Sequence, residues 1–329
     1  MAVVEYDGTA FAGFQLQAHA SAPQPRTVQA VLESAVAPLA GDPGGPRGPR
    51  GPRRPGGPRI TGAGRTDAGV HAAAQVVHLD TTGPLAGDPP AFLRAWNARL
   101  PADVRVRSVS PATPDFHARR SARSRTYRYR IVNAPLCSPF LYRYAHHVRD
   151  PLSLPQMAAA AGLLLGEHDF RAFAAGEGPG PTRRHVWRVD VREGWETGPG
   201  IWHTLGQWVA QPPATLWAPL PGEADPVRIV TVEVEANAFL RHMVRRIVGT
   251  LVEVGLGRLP PPGMASILAA GDKRDASQAA PARGLCLWRV RYEGLPPETG
   301  GSASAADAPD QADKAGRAGR AGNPAGPEQ

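Results

Sequence analysis

The sequence predicts an α+β protein made of two fused split βαβ units, ferredoxin-like, whose strands form one broad antiparallel sheet with helices packed on it. Three observations lead there. Segments follow one another as strand, helix, strand, strand, helix, strand, and then in the same order again. Arg125–Val132 alternates strictly, with Tyr127, Tyr129 and Ile131 on one side and Arg128, Arg130 and Val132 on the other, which is the period of a strand. Phe239–Val254 carries Leu240, Met243, Val244, Ile247, Val248 and Leu251 at helical spacing, flanked by Arg241, His242, Arg245 and Arg246.

The elements follow in chain order. Ala2–Tyr6 is apolar and β-branched, a strand so close to Met1 that a few further residues are expected upstream. Thr27 is placed to cap a helix through Val28, Val31, Leu32, Ala35, Val36 and Leu39, which Pro38 limits. Residues 43–58 repeat Gly-Pro-Arg without an apolar residue to bury and are expected to be a disordered basic insert. Strands are expected at Gln75–Leu79 and Val104–Val109, with a helix over Ala91–Arg99 between them. A helix follows at Leu154–Leu165, then strands at Val186–Val191 and Val227–Ala236. Residues 194–226, rich in Gly, Pro and Trp, read as an inserted excursion, and Leu285–Tyr292 is the last strand. The halves are therefore 1–115 and 116–295, and the Ala/Gly/Asp/Ser/Pro tail 296–329 is expected to be disordered, since it cannot offset its ordering entropy.

At 329 residues, 42 % of them apolar, the chain suits two units with a sizeable core. Its net charge of +8 favours a polyanionic partner, but half of the excess is Arg47, Arg50, Arg53 and Arg54 in the insert, so charge is a mild signal. Two cysteines, Cys137 and Cys286, without a CxxC pair exclude a disulfide framework and a cysteine zinc site, and fit a reducing cytoplasm. The histidines lack HExxH spacing, and no Rossmann fingerprint or GxSxG elbow is present, so neither metal nor cofactor is expected. The N-terminus has no signal-peptide pattern, and Met157–Leu165 is too short to cross a bilayer.

Gly62-Ala63-Gly64-Arg65-Thr66-Asp67-Ala68-Gly69-Val70-His71 is the most informative stretch. Its glycines let backbone approach backbone or ligand. Arg65, two residues before Asp67, favours a charged carboxylate fit to act as nucleophile or base. In isolation the same residues also read as a Gly-rich turn with Asp67 capping a helix; a phosphate loop is disfavoured because GxxxxGK[ST] is absent. In the stretch from Phe116 to Arg130, Arg119, Arg120, Arg123, Arg125, Arg128 and Arg130 interleave with Tyr127 and Tyr129. That is a pattern for phosphates and unpaired bases, or an ordinary edge strand with solvated arginines. The arginines at 241, 245 and 246 read equally as a solvated helix boundary.

Taken together, these segments resemble the tRNA pseudouridine synthase A family. The resemblance is carried by Tyr6-Asp7-Gly8-Thr9-x-Phe11-x-Gly13-Phe14-Gln15-x-Gln17, Arg26-Thr27-Val28-Gln29, Gly64 to His71, Phe116-His117-Ala118-Arg119, Tyr127-Arg128-Tyr129 and Asn237 to Arg245. These motifs span most of residues 3–292 in the family's order, and the inserts and tail interrupt none of them. What the resemblance implies is the pseudouridine synthase fold and an isomerase that converts uridines at positions 38 to 40 of the tRNA anticodon stem-loop, without cofactor or metal. It implies Asp67 as the nucleophile, Tyr127 as the residue stacking on the extruded base, and Arg245 as the basic partner of the carboxylate, with Arg241 a neighbouring candidate. Arg65 is expected to fill the vacated space or hold the flipped phosphate, and Leu285 or Leu287 to wall the pocket. A homodimer with one tRNA lying across both subunits is also implied. Two readings from other classes stand beside it. A non-catalytic RNA-binding protein on the same fold is opposed by the intact Asp67. A glycosidase normally needs two carboxylates where the motif supplies one.

Overall fold

The chain alternates elements as its apolar patterning demands. A computed structural model describes residues 1–17, 25–41, 58–176, 180–196 and 227–293. The first unit contains β1 (Ala2–Tyr6), α1 (Val28–Val36), β2 (Thr61–Gly62), β3 (His71–His78), α2 (Pro89–Asn97) and β4 (Val104–Val109). The second contains β5 (Ala122–Asn133), β6 (His146–Val148), α3 (Leu154–Gly162), β7 (Gly166–Asp169), β8 (Arg183–Glu196), β9 (Val227–Ala236), α4 (Met243–Gly255), α5 (Gly263–Ala270) and β10 (Leu285–Tyr292). Thr27 caps α1 by accepting from Ala30 N, as its position predicts. Asp88 caps α2 in the same way, with two prolines in the first turn, where no backbone donor is needed.

The strands form one sheet in the order β4-β1-β3-β10-β5-β9-β8-β7, with β2 on β3 and β6 on β5. Each unit contributes the split βαβ arrangement, a first strand flanked by the unit's last two. β1 lies between β4 and β3, and β5 lies between β10 and β9. The expected all-antiparallel sheet needs correction: β10 pairs parallel with β3, and β6 parallel with β5. The reason is the length of β2. Its two residues cover only the Val77–His78 end of β3, so the rest of that edge is open to β10, which pairs through Cys286 and Leu287 to His71 and Ala72.

One core joins both units. Leu32, Val36, Phe92, Trp96, Met157, Ile247 and Leu251 from the helices pack with Val4, Tyr6, Tyr129 and Val232 from the strands. Burying each such aliphatic side chain is worth about 1.5–3 kcal/mol. No helix among the described residues is long and apolar enough to cross a membrane.

Several boundaries move. β3 begins at His71 rather than Gln75, because Ala72, Ala73 and Ala74 carry no β-propensity and are strand only through pairing. β8 runs to Glu196, so the first three residues of the expected excursion 194–226 are strand; residues 197–226 lie outside the described residues. The basic insert, apart from Pro58, and the tail also lie outside them. The short β6 and β7 and the helix α5 escape periodicity, since each spans at most two turns or a few residues. α4 begins at Met243, not Phe239, because His242 adopts φ 62° and breaks the helix before it starts.

Candidate active site at the junction of the two units

Asp67 lies in the loop between β2 and β3, just before β3 meets β10. The loop is clamped from several directions. Phe14 N donates to Thr66 O at 3.0 Å, Gly69 N to Phe11 O at 3.2 Å, and Arg125 Nη2 to Ala63 O at 3.0 Å. The Gln75 amide bonds both the carbonyl (2.8 Å) and the N–H (3.3 Å) of Gly64. Thr66 Oγ1 pairs with Tyr6 OH at 2.8 Å. The Tyr6–Gln17 motif is thus the cradle of the carboxylate loop. Its glycines are required by contact: a Cβ at Gly8 would stand 2.0 Å from Val70 O, and Gly13 holds φ 106° with Thr66 O 2.8 Å from where its Cβ would be. Gly8→Ala should therefore destabilise the fold by at least about 1–3 kcal/mol, the usual cost of overpacking. Thermal unfolding checks this; an unchanged midpoint would mean that the loop does not pack as described.

Two groups from the second unit reach Asp67. Arg245, in the first turn of α4, places Nη1 3.4 Å from Asp67 Oδ2 and anchors its Nε on Ala280 O at 2.8 Å. His242 places Nε2 3.4 Å from the same oxygen. Asp67 is 29 % exposed, enough for a substrate to reach it. Burial, then the guanidinium groups of Arg245, Arg241 and Arg246, push the His242 imidazole below its usual range against the opposing pull of Asp67, so it is neutral at neutral pH. Arg241 is exposed and makes no ion pair with Asp67; of the two arginines, Arg245 is the one in contact.

Tyr127 is buried, edge-on to Phe239 with ring centroids 5.0 Å apart. Burial, then the charge of Asp67, pushes its phenol up, so it keeps its proton. Across the sheet Leu287 stands opposite Tyr127 and Leu285 opposite Tyr129, and both leucines are buried. Arg65 is exposed and makes no hydrogen bond or ion pair with any described residue. The structure thus brings Asp67 and Arg245 together, puts Tyr127 within electrostatic reach, and leaves Arg65 on the rim.

The arginine-rich strand departs from expectation. Arg125, Arg128 and Arg130 are buried rather than solvated or offered to phosphates. Arg125 Nη1 donates to Asn237 O at 2.7 Å. Arg128 is doubly bonded to Glu233 (3.0 and 2.8 Å) and lies 3.8 Å from the Trp288 ring centroid. Such charges are retained inside only when paired. Tyr129 is also turned inward and donates to Pro281 O at 2.8 Å. Arg119 and Arg120 remain exposed; Arg123 is exposed but paired with Glu293. Sequence reasoning missed the contact of His242 with Asp67, although it quoted the residue within its motif.

A sheet of two merged split βαβ units, with a carboxylate loop at their junction, defines the pseudouridine synthase class of α+β enzymes. Residues 2–119 and 160–293 match the family described as tRNA pseudouridine synthase, and the chain belongs to that family. It is 38 % identical over 291 residues to a tRNA pseudouridine synthase A of Syntrophotalea carbinolica, covering 88 % of this chain and 94 % of the relative. It is 39 % identical over 305 residues to the protein of that name from Nitratidesulfovibrio vulgaris, covering 88 % and 98 %. To that of Chloroflexus aurantiacus it is 40 % identical over 290 residues, covering 88 % and 87 %.

Proposed function

We propose that Asp67 is the nucleophile with which this tRNA pseudouridine synthase, an isomerase, converts uridines at positions 38 to 40 of the anticodon stem-loop to pseudouridine. The observation that carries the reading is the geometry of one carboxylate, partly exposed and met on a single oxygen by Arg245 and His242. The reaction breaks the N-glycosidic bond, turns the base and rejoins it through carbon. Product and substrate are isomers, so no electrons or groups need be supplied. One proton leaves the carbon that takes the sugar, and one is returned to nitrogen. A carboxylate nucleophile splits this into two steps through a covalent intermediate.

The target uridine is stacked in the RNA and must be flipped out, at a cost of a few kcal/mol. Arg65, unengaged with the described residues and fixed two positions from Asp67, is suited to fill the vacated space or hold the flipped phosphate. Tyr127 supplies a neutral ring to the extruded base, and Leu285 with Leu287 an apolar wall. Arg245 orients Asp67 and offsets its charge. By family membership we further propose a cytoplasmic homodimer that holds one tRNA across both subunits.

Carbodiimide mapping of pseudouridine in tRNA incubated with the protein tests this. With EDTA present and no nucleotide added, uridine should be converted fully, since the rearrangement is an isomerisation that a carboxylate nucleophile can carry without a supplied group. A metal requirement that survives a control for tRNA folding would contradict cofactor independence. Conversion confined to uridines outside the anticodon stem-loop would contradict the proposed target.

A further inference from the structure

His242 holds the one positive φ of any non-glycine residue among those described, φ 62° and ψ 2°. An L-residue adopts the left-handed region at a cost, and although histidine enters it more readily than most, glycine would fill it more cheaply. The residue sits at the N-cap of α4, but its side chain makes no capping hydrogen bond, so helix termination does not account for it. Backbone outliers of this kind persist where surrounding structure holds them, often at functional sites. Here the surroundings are visible. Met243 N bonds Leu240 O at 3.1 Å and Arg246 N bonds His242 O at 3.0 Å, fixing the turn. Arg246 is itself tied down through Nη2 to Ala276 O at 3.1 Å. The result of the turn is that the imidazole is brought to Asp67, with Nε2 3.4 Å from Oδ2.

We propose that His242 is a positioning residue: its Nε2–H holds Asp67 through Oδ2, beside Arg245 on the same oxygen, and so leaves Oδ1 presented to the substrate. The inference rests on the reading of Asp67 as nucleophile and adds a second support to it. A carboxylate on one arginine contact can swing about its Cβ–Cγ bond; a second group standing 3.4 Å from the same oxygen restricts that swing. Arg245 comes from α4 and His242 from the turn before it, so the two donors are set by one rigid element. The charged groups around the imidazole are Asp67, Arg241, Arg245 and Arg246. The neutral form, favoured by burial and the three arginines, still carries a proton on one ring nitrogen, and the carboxylate oxygen selects Nε2 for it.

Two variants separate positioning from backbone structure because they move rate and stability in opposite directions. His242→Gly relieves the left-handed backbone and removes the imidazole. It should melt no lower than wild type and bind tRNA equally, while the single-turnover rate at saturating tRNA falls roughly 100-fold, as misplacement of a reacting group does. His242→Gln puts an amide donor near the position of Nε2 but keeps the backbone cost. It should melt lower than His242→Gly and yet react faster, by about tenfold. The inference is overturned if His242→Gly keeps its rate within about threefold of wild type, or if His242→Gln is no faster than His242→Gly. Asp67→Asn measured alongside keeps the two readings apart. If that variant retains its rate, the nucleophile assignment fails; if it loses its rate while His242→Gly does not, only the role of His242 fails.

Discussion

Asp67→Asn should abolish pseudouridine formation while tRNA binding persists. The substitution keeps shape and leaves an oxygen for Arg245 to contact, but it removes the nucleophile and its charge. Turnover should fall by more than roughly a thousandfold, about 4 kcal/mol of barrier. Stability should change little. Asp67 is partly exposed, its side chain makes no cap, and its loop's backbone is held by the backbones of Phe11 and Phe14 and by the side chains of Gln75 and Arg125. Single-turnover conversion and a filter-binding isotherm measured on the same preparation check both parts. Activity within about tenfold of wild type, a change of only ~1.4 kcal/mol, would remove Asp67 from the mechanism.

The second large effect is expected at Arg65, and its contrast with the basic insert gives it meaning. Arg65 is exposed but stands on a clamped loop two residues from Asp67, so it acts at a fixed place. If it supports the flipped state, its loss returns the few kcal/mol of unstacking to the barrier. Arg65→Ala should then lower the single-turnover rate at saturating tRNA by about 100-fold or more, roughly 3 kcal/mol, with little change in binding. Arg47, Arg50, Arg53 and Arg54 lie in a Gly/Pro-rich run without apolar anchors. Phosphate contacts from such a run add affinity that falls with salt and carry no sequence information. Replacing all four with serine should weaken binding modestly and flatten its salt dependence, with the rate at saturation unchanged. A salt series of single-turnover measurements decides. Loss of chemistry in the insert variant, or loss of affinity alone in Arg65→Ala, would refute this division of labour.

Much of this architecture is legible in the sequence because its determinants are local. Thr27 before a helical stripe gives α1, and the alternating valines of 227–236 give β9. The carboxylate is legible because Asp67 sits in a short, unusual setting of glycines and an arginine. What escaped depends on distant partners. Arg128 reads as a phosphate contact until Glu233, 105 residues away, is found opposite it on β9. The signal was present in complementary form: arginines at 128 and 130, and glutamates at 233 and 235. Only strand pairing tells which two segments face each other. The contact of His242 escaped for a different reason. A left-handed turn at a histidine has no local signature, and the apolar spacing of Phe239–Val254 runs through it as though the helix were continuous. The parallel joining of β3 and β10 was hidden by the shortness of β2, a quantity that periodicity does not report.

The role proposed for Asp67 is that this one carboxylate carries the isomerisation of an anticodon-arm uridine. It is tested most directly by release of hydrogen label from the base carbon that becomes the new sugar link, in tRNA labelled at uridines 38 to 40, with wild type and Asp67→Asn in parallel. Wild type should release the label in step with pseudouridine formation, and Asp67→Asn should bind the same tRNA and release none. Label release by Asp67→Asn at a rate comparable to wild type would contradict it.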